Sequence, residues 1–312
     1  MSKSIAALGS GIAALALAVG AGTTATAAPA LQQAAPSSTT LSGSLPPSCT
    51  VTITGDTSAS YVQGNKVSPW APIALPPGGA RYSSFTSKAL DDRSHILAIT
   101  SDGRAFDSSM REAKGGVNAN VNALDPTYTA IGQTLPGIID LDVASEELGQ
   151  YDRRPARVAY AVTADGKLHS IPITYENGSP RLGTPTVLSA PRLSSLRGIE
   201  EMGRSWKSKR VTKTMLMGHT NDGRLVELSV DRTKTQPTLT YRLMASGWGK
   251  VQTLALGWCT DQAQKKNTII LTIDDKNNMK AHVDRFWSDG SLALAKVIQL
   301  GRWNGAPTST LF

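Results

Sequence analysis

One apolar bend recurs along the 312-residue chain, centred on Gly79, Leu135, Leu193, Trp248 and Trp303, so that successive copies stand 56, 58, 55 and 55 residues apart. Each copy reads as an apolar strand, a bend carrying Gly, Pro or Trp, and another strand. A second phrase alternates with the first: ILAITSDGRAFDS around Asp102, AYAVTADGKLHSI around Asp165, LMGHTNDGRLVEL around Asp222 and IILTIDDKNNMKAHV around Asp275, with a fainter copy, CTVTITGDTSASYV, around Asp56. Val158, Tyr160 and Val162, then Leu168 and Ser170, alternate with the period of two expected of a strand. Between the strands, Asp accepts backbone N–H groups and Gly takes the positive φ that closes a hairpin, so Asp102, Asp165 and Asp222 read first as turn residues.

A period this regular implies a stack of supersecondary units, and near 50 residues it implies four-stranded propeller blades. The first phrase is a hairpin without a preceding inner strand, and the last is an inner strand without its hairpin. Joining the ends completes a fifth blade, with Phe312 near the end of the strand that pairs toward Cys49–Val51. The expectation is an all-β, five-bladed β-propeller of four-stranded antiparallel blades, closed by pairing of the N- and C-terminal strands; such closure removes open sheet edges.

The chain starts with a basic residue, Lys3, an apolar run from Ile5 to Val19 and small residues ending in Ala25-Thr26-Ala27. That order predicts a signal peptide over 1–27, and hence a secreted, extracellular protein. The run is short for a bilayer span of about 20 residues, and no later stretch is suited to one. Residues 28–48 read as a flexible Ser/Thr/Pro-rich leader, and 49–312 as the single propeller domain. Cys49 and Cys259 are the only cysteines; in an oxidising compartment they are expected to form one disulfide that staples the N-terminal strand to its neighbour.

Lys+Arg exceed Asp+Glu by 32 − 24 = 8. The basic residues gather at Arg153, Arg154 and Arg157, at Lys207, Lys209, Arg210 and Lys213, and at Lys265 and Lys266, which suits an anionic polymer or a cell envelope as partner as well as simple loop solvation. No arginine-rich helix or aromatic RNA motif points to nucleic acid.

The mature chain lacks the common nucleophile, phosphate, dinucleotide and zinc signatures, so no cofactor is expected. His95, His169, His219 and His282 lie in different repeats without a second ligand at metal spacing, and no metal is expected. Asp140-x-Asp142 with Glu146 and Glu147 offers only a weak Ca²⁺ cluster. Acids on or just after inner strands are the enzyme alternative: Asp91, Asp140 and Glu200, with Asp92, Asp142 and Glu201 beside them, would converge at a propeller channel as glycoside hydrolysis requires. Their Asp, Asp, Glu order is similar to that of five-bladed arabinanase-type glycosidases. Trp248 and Trp303 occupy equivalent bends, where an indole face suits stacking on a sugar ring and equally suits filling the wedge between blades.

The alternation of TNDGRLVEL with TYRLMASGWGKVQTLALG resembles the repeat of tachylectin-type lectins, over Cys49 to Phe312. The resemblance implies a five-bladed propeller that binds N-acetylated sugars at one site per blade, with Asp102-Gly103, Asp165-Gly166, Asp222-Gly223, Gly247-Trp248, Gly301 and Trp303 at the matching positions. Pro77-Gly78, Leu135 and Leu193 stand where other blades would carry the aromatic, and the fourth hairpin replaces Asp-Gly with DDKNN. The expected function is a secreted noncatalytic protein recognising an extracellular glycan or cell-surface polymer at several blades. A protein-binding scaffold and a glycoside hydrolase are the alternatives.

Overall fold

The computed structural model describes residues 39–54, 59–70, 80–87, 93–100, 102–111, 128–144, 158–176, 179–207, 210–259, 268–284 and 294–303. They belong to one compact unit, 35–312. Among the described residues every regular element is a strand, and no helix is long and apolar enough to cross a membrane.

The strands fall into repeated antiparallel sets. The N-terminal set is β1 (Thr39–Thr40), β2 (Cys49–Thr54), β3 (Ala59–Gln63) and β4 (Lys66–Trp70). There follow β5 (Ala80–Ser87), β6 (Arg93–Thr100), β7 (Arg104–Arg111) and β8 (Tyr128–Thr134), paired in that order. The next sheet joins β9 (Ile138–Ala144), β10 (Val158–Thr163) and β11 (Leu168–Glu176), with β12 (Ser179–Leu182) and β13 (Thr186–Leu188) on different stretches of β11. The third is β14 (Leu196–Lys207), β15 (Arg210–Thr220), β16 (Leu225–Asp231) and β17 (Thr238–Ala245). The fourth is β18 (Val251–Cys259), β19 (Thr268–Asp274), β20 (Asn278–Asp284) and β21 (Leu294–Arg302).

Successive sheets pack face to face. One core joins Leu97, Ile99 and Ala105 of the β5–β8 sheet to Leu141, Ala159 and Ile171 of the next. A second joins Val158, Tyr160 and Val162 to Leu216, Val226 and Leu228. Strand β10 therefore buries alternate residues on opposite faces, which is why AYAV reads as an unbroken apolar run. A third core sets Met202, Met217, Leu225 and Trp248 against Ile270. The leading strands β5, β9, β14 and β18 neighbour one another in turn, so the architecture is propeller-like.

The hairpin turns and the bends form one continuous chain of main-chain hydrogen bonds. Each turn has a left-handed residue, Gly103 (φ 84°), Gly166 (φ 76°), Gly223 (φ 74°) or Asn277 (φ 61°). Their carbonyls accept the N–H groups of Leu135, Leu196, Trp248 and Trp303 at 2.6, 2.9, 2.9 and 2.8 Å. The first three of these bends then accept from the next turn: Ala164 donates to Gly137, Asn221 to Ser195 and Asp275 to Lys250, at 2.7, 2.8 and 3.0 Å. Two features depart from the sequence expectation. The third bend is anchored by Leu196 rather than Leu193, because the bend at 190–195 makes an extra detour through Arg192 (φ 64°). In the fourth hairpin Asp274, not Asp275, ties the turn, accepting from the Lys276 and Asn278 N–H groups at 2.9 and 2.8 Å, while Asn277 stands for the glycine.

Because these glycines lie against a neighbouring bend, they tolerate no side chain. A Cβ at Gly166 would lie 2.3 Å from Ser195 Cβ and 2.8 Å from its Cα. Gly166→Ala is expected to cost about 2 kcal/mol or more from backbone strain and the Ser195 clash together, read as a lowered denaturant midpoint with unchanged slope.

The expected disulfide is present between Cys49 and Cys259. Its setting corrects the expected closure. Cys49–Val51 pairs with Gly257–Cys259 of β18 on one side, and Thr50 and Val51 pair with β3 on the other, so the N-terminal set extends the fourth sheet to eight strands. Gly257 permits the approach, since a Cβ there would meet the Thr50 carbonyl oxygen at 2.2 Å. The C-terminal residues 304–312, expected to supply that pairing, lie outside the described residues, as does Gly79. Within the stretch before Cys49, Leu41 and Leu45 are buried with Val51, Ile269 and Leu300.

Candidate functional site

The three Thr-x-Asp-Gly turns are nearly identical in chemistry. Thr163 Oγ1 donates to Asp165 Oδ1 at 2.6 Å and Thr220 Oγ1 to Asp222 Oδ1 at 2.5 Å; Thr100 makes the same bond to Asp102. A cation two residues on closes each ring: Arg104 Nε to Asp102 at 2.8 Å, Lys167 Nζ to Asp165 at 2.6 Å and Arg224 Nε to Asp222 at 2.8 Å. The hydroxyl and cation contacts hold the carboxylates ionised. Lys167 and then Thr163 bring Asp165 down to about 2, Thr100 leads the lowering of Asp102, and Thr220 with Arg224 lowers Asp222 further. Exposed pairs of this kind add little stability. They do set a carboxylate beside a cation, open to solvent, at equivalent places in three sheets.

The bend tryptophans are not open platforms. Trp248 is 8% and Trp303 7% exposed; Trp248 lies among Met202, Met217, Leu225 and Ile270, and Trp303 joins the core around the disulfide. Neighbouring sheets therefore cover their rings, as in the wedge-filling alternative. Gly247 beside Trp248 is exposed and adopts φ 86°, with open space where a Cβ would stand, so its role is the backbone conformation. Gly301 (φ 109°) instead faces Ser42.

Trp248 is framed by two histidines that the sequence left as isolated strand residues. Its ring centroid lies 4.8 Å from that of His282, and its carbonyl oxygen is 2.9 Å from His219 Nε2. A carbonyl only accepts, so Nε2 donates to it, while the buried Nδ1 has no partner. Burial pushes His219 below its ordinary value, and Arg197 adds to this against the opposing carbonyl contact; burial and then Lys280 lower His282. A folded-state value below the unfolded one means that the unfolded chain binds more protons on acidification. Stability is therefore expected to be full above about pH 6.5 and to decline below it, and His219→Gln, which keeps a donor for the Trp248 carbonyl, should flatten that decline in urea titrations run at several pH values. His169 is half-buried, and burial lowers it as well. His95 lies on β6, with its side chain outside the described set.

The inner-strand acids do meet, but as structural ties. Asp140 Oδ1 accepts from the Leu141 N–H at 2.9 Å and Oδ2 from Ile199 at 2.7 Å. Asp142 repeats this with Val143 at 2.7 Å and Glu201 at 2.5 Å. The two aspartates thus bridge β9 to β14, where side chains replace a direct ladder between leading strands. Glu200 sits between them, its carboxyl pushed well above the ordinary range by burial, with Asp142, Asp140 and Glu201 adding to the effect. Asp91, Glu146 and Glu147 fall outside the described residues. Among the described residues no group of three or more His, Cys, Asp and Glu is placed to hold a metal ion.

Sequence reasoning missed the lateral partners of the third turn. Ser194 Oγ donates to Asp222 Oδ2 at 2.9 Å, and Arg224 Nη2 donates to Ser194. Tyr241, which helps Asp222 to hold Arg224 charged, donates its hydroxyl to the Arg192 carbonyl at 3.1 Å. The signal present in the sequence was the basic residue two places after each turn Asp.

No protein-family model matches the chain, and no curated protein sequence does. Among solved structures, the chain is similar to the SapL1 lectin in complex with alpha-methyl fucoside, with 8% identity, TM-score 0.39 and coverage of 77% of this chain and 78% of that one. It is also similar to the BP39L lectin from Burkholderia pseudomallei, with 15% identity, TM-score 0.40 and coverage of 73% and 56%. A periplasmic gluconolactonase, PpgL, from Pseudomonas aeruginosa gives 14% identity, TM-score 0.38 and coverage of 78% and 64%.

Proposed function

We propose that the chain is an exported, noncatalytic binding protein that recognises carbohydrate along its row of hairpin turns and bends, on a closed five-bladed propeller. The observation that carries this reading is the repeated, solvent-open pair of carboxylate and cation at Asp102/Arg104, Asp165/Lys167 and Asp222/Arg224. A carboxylate beside a donor matches the paired hydroxyls of a sugar, and repetition lets weak sites act together on a polymer. Binding is favoured over cleavage because both oxygens of Asp140 and of Asp142 are engaged by main-chain N–H groups. A carboxylate so engaged is poorly placed to activate water or attack a glycosidic carbon.

The fifth blade would be the N-terminal set. Its β3–β4 turn has Gly64 at φ 56°, and the Gly64 carbonyl accepts the N–H of buried Leu45 at 2.9 Å. That contact is the same one made by Leu135, Leu196, Trp248 and Trp303, with the bend supplied from before the hairpin rather than after it. Export follows from the signal-like sequence over 1–27 and accords with the Cys49–Cys259 disulfide.

The test is depletion from solution by insoluble chitin, peptidoglycan and neutral plant polysaccharides. Binding to at least one of them, reversed by free sugar at constant ionic strength, is expected. Binding abolished by salt and unaffected by sugar would instead indicate simple charge attraction.

A further inference from the structure

The third turn differs from its counterparts. Among the described residues the partners of Asp102 and Asp165 come from their own turns, whereas Asp222 and Arg224 both bond Ser194 of the preceding bend, whose Arg192 carbonyl in turn accepts from Tyr241 of β17. We infer that this junction of Ser194, Asp222, Arg224 and Tyr241 is a single binding site for the vicinal diol of a neutral sugar, one molecule per chain. The inference rests on the carbohydrate reading above and narrows it from several equal sites to one.

Three observations carry it. The first is backbone geometry: Arg192, a non-glycine residue, holds φ 64°, a conformation unfavourable for a residue with a Cβ, and the Tyr241 hydroxyl fixes its carbonyl at 3.1 Å. The bend is thereby shaped so that Ser194 meets the next sheet's turn, a contact that closing a Thr-x-Asp-Gly hairpin does not require. The second is unspent hydrogen-bonding capacity at an accessible place. A guanidinium carries five N–H donors, more than Asp222 and Ser194 take, and the Asp222 and Arg224 side chains remain 49% and 24% exposed. The third is apolar surface alongside: Leu243, two residues from Tyr241 and so on the same face of β17, is 52% exposed.

Donor and acceptor side by side match two adjacent hydroxyls, and Leu243 matches the C–H face of the same ring. The charges select the class of sugar. Asp222 neutralises Arg224, so no net positive charge is left for a carboxylated or phosphorylated sugar, which would also meet the Asp222 carboxylate. At the Asp165 turn no described hydroxyl from the preceding bend joins the carboxylate, so that turn would not bind at comparable strength.

The test is isothermal titration of the full chain with D-galactose, D-mannose, N-acetyl-D-glucosamine and D-glucuronate, on the parent and on Asp222→Asn, Ser194→Ala, Tyr241→Phe and Asp165→Asn, each checked by thermal melting. At least one neutral sugar is expected to bind with a stoichiometry of about one, and glucuronate to bind more weakly. Asp222→Asn and Ser194→Ala should each weaken binding about tenfold or more, in line with the loss of a charge-assisted hydrogen bond, and each by several-fold more than Asp165→Asn does. Parent binding that survives Asp222→Asn, Ser194→Ala and Tyr241→Phe, that falls equally in Asp165→Asn, or that shows several equal sites, would overturn the single-site inference and leave the carbohydrate reading standing. No binding of any sugar by a folded parent, together with no retention on polysaccharide, would remove both.

Discussion

Replacing Cys49 and Cys259 together by alanine should lower the unfolding free energy by about 2–5 kcal/mol, the largest effect expected of any pair in the molecule. The bond links residues 210 apart in sequence, so the loop it closes in the unfolded chain is very long, and loop-closure entropy grows with loop length. In the folded protein it sits at the three-residue seam between β2 and β18, which is short compared with the full ladders elsewhere. The apolar residues around it, Leu41, Leu45, Val51 and Trp303 among them, would remain packed, so the first consequence should be opening of that seam. Hydrogen exchange at Thr50, Val51 and Trp258 should accelerate before any other strand region does, and the thermal midpoint should fall by several degrees. An unchanged midpoint in the double alanine variant would show that the seam stands without its covalent link.

Loss of the inner-strand aspartates is expected to be nearly as costly. In Asp142→Ala, the Val143 and Glu201 N–H groups that the carboxylate now accepts at 2.7 and 2.5 Å lose their acceptor, and a buried donor left without a partner costs about 1–3 kcal/mol. A net loss of about 2–4 kcal/mol is expected, and likewise for Asp140→Ala. Because burial, ahead of the neighbouring acids, is what raises the Glu200 carboxyl, removing a neighbouring negative charge returns little. Asparagine should not rescue the fold, since its NH₂ group would face an N–H donor where the second carboxylate oxygen was. A catalytic carboxylate would behave oppositely, with Asn leaving stability intact while abolishing turnover. Urea unfolding of Asp142→Ala and Asp142→Asn separates the two cases, and a fully stable Asp142→Asn would contradict the structural role.

What was legible in the sequence was mostly local. Thr100-x-Asp102-Gly103 and its copies specify their own turns through bonds two to four residues long, and the alternation of Val158, Tyr160 and Val162 specifies a strand. The period of the bends carried the stacking of sheets for the same reason, because each bend lies next to its own hairpin turn. The errors arose where a distant segment decides. Leu193 and Leu196 are equally apolar, and only the Gly166 carbonyl selects Leu196. An indole at a bend looks the same in sequence whether bare or covered, and Trp248 is covered by His282 and Ile270 of the following sheet. Asp140 and Asp142 read as converging acids, and they do converge; that their oxygens are filled by N–H groups 59 residues away has no local signature. The pairing of β2 with β18 depends on Gly257, whose missing Cβ is unremarkable until Thr50 lies against it.

The measurement that bears most directly on binding without cleavage is a single incubation of the folded, disulfide-intact protein with insoluble chitin, peptidoglycan and neutral polysaccharides, in which bound protein and newly released reducing ends are quantified together. The account predicts saturable retention on at least one polymer, displaced by free neutral sugar, with no reducing ends above the protein-free control. Release of reducing ends that disappears in Glu200→Gln, or the absence of retention on every polymer, would contradict it.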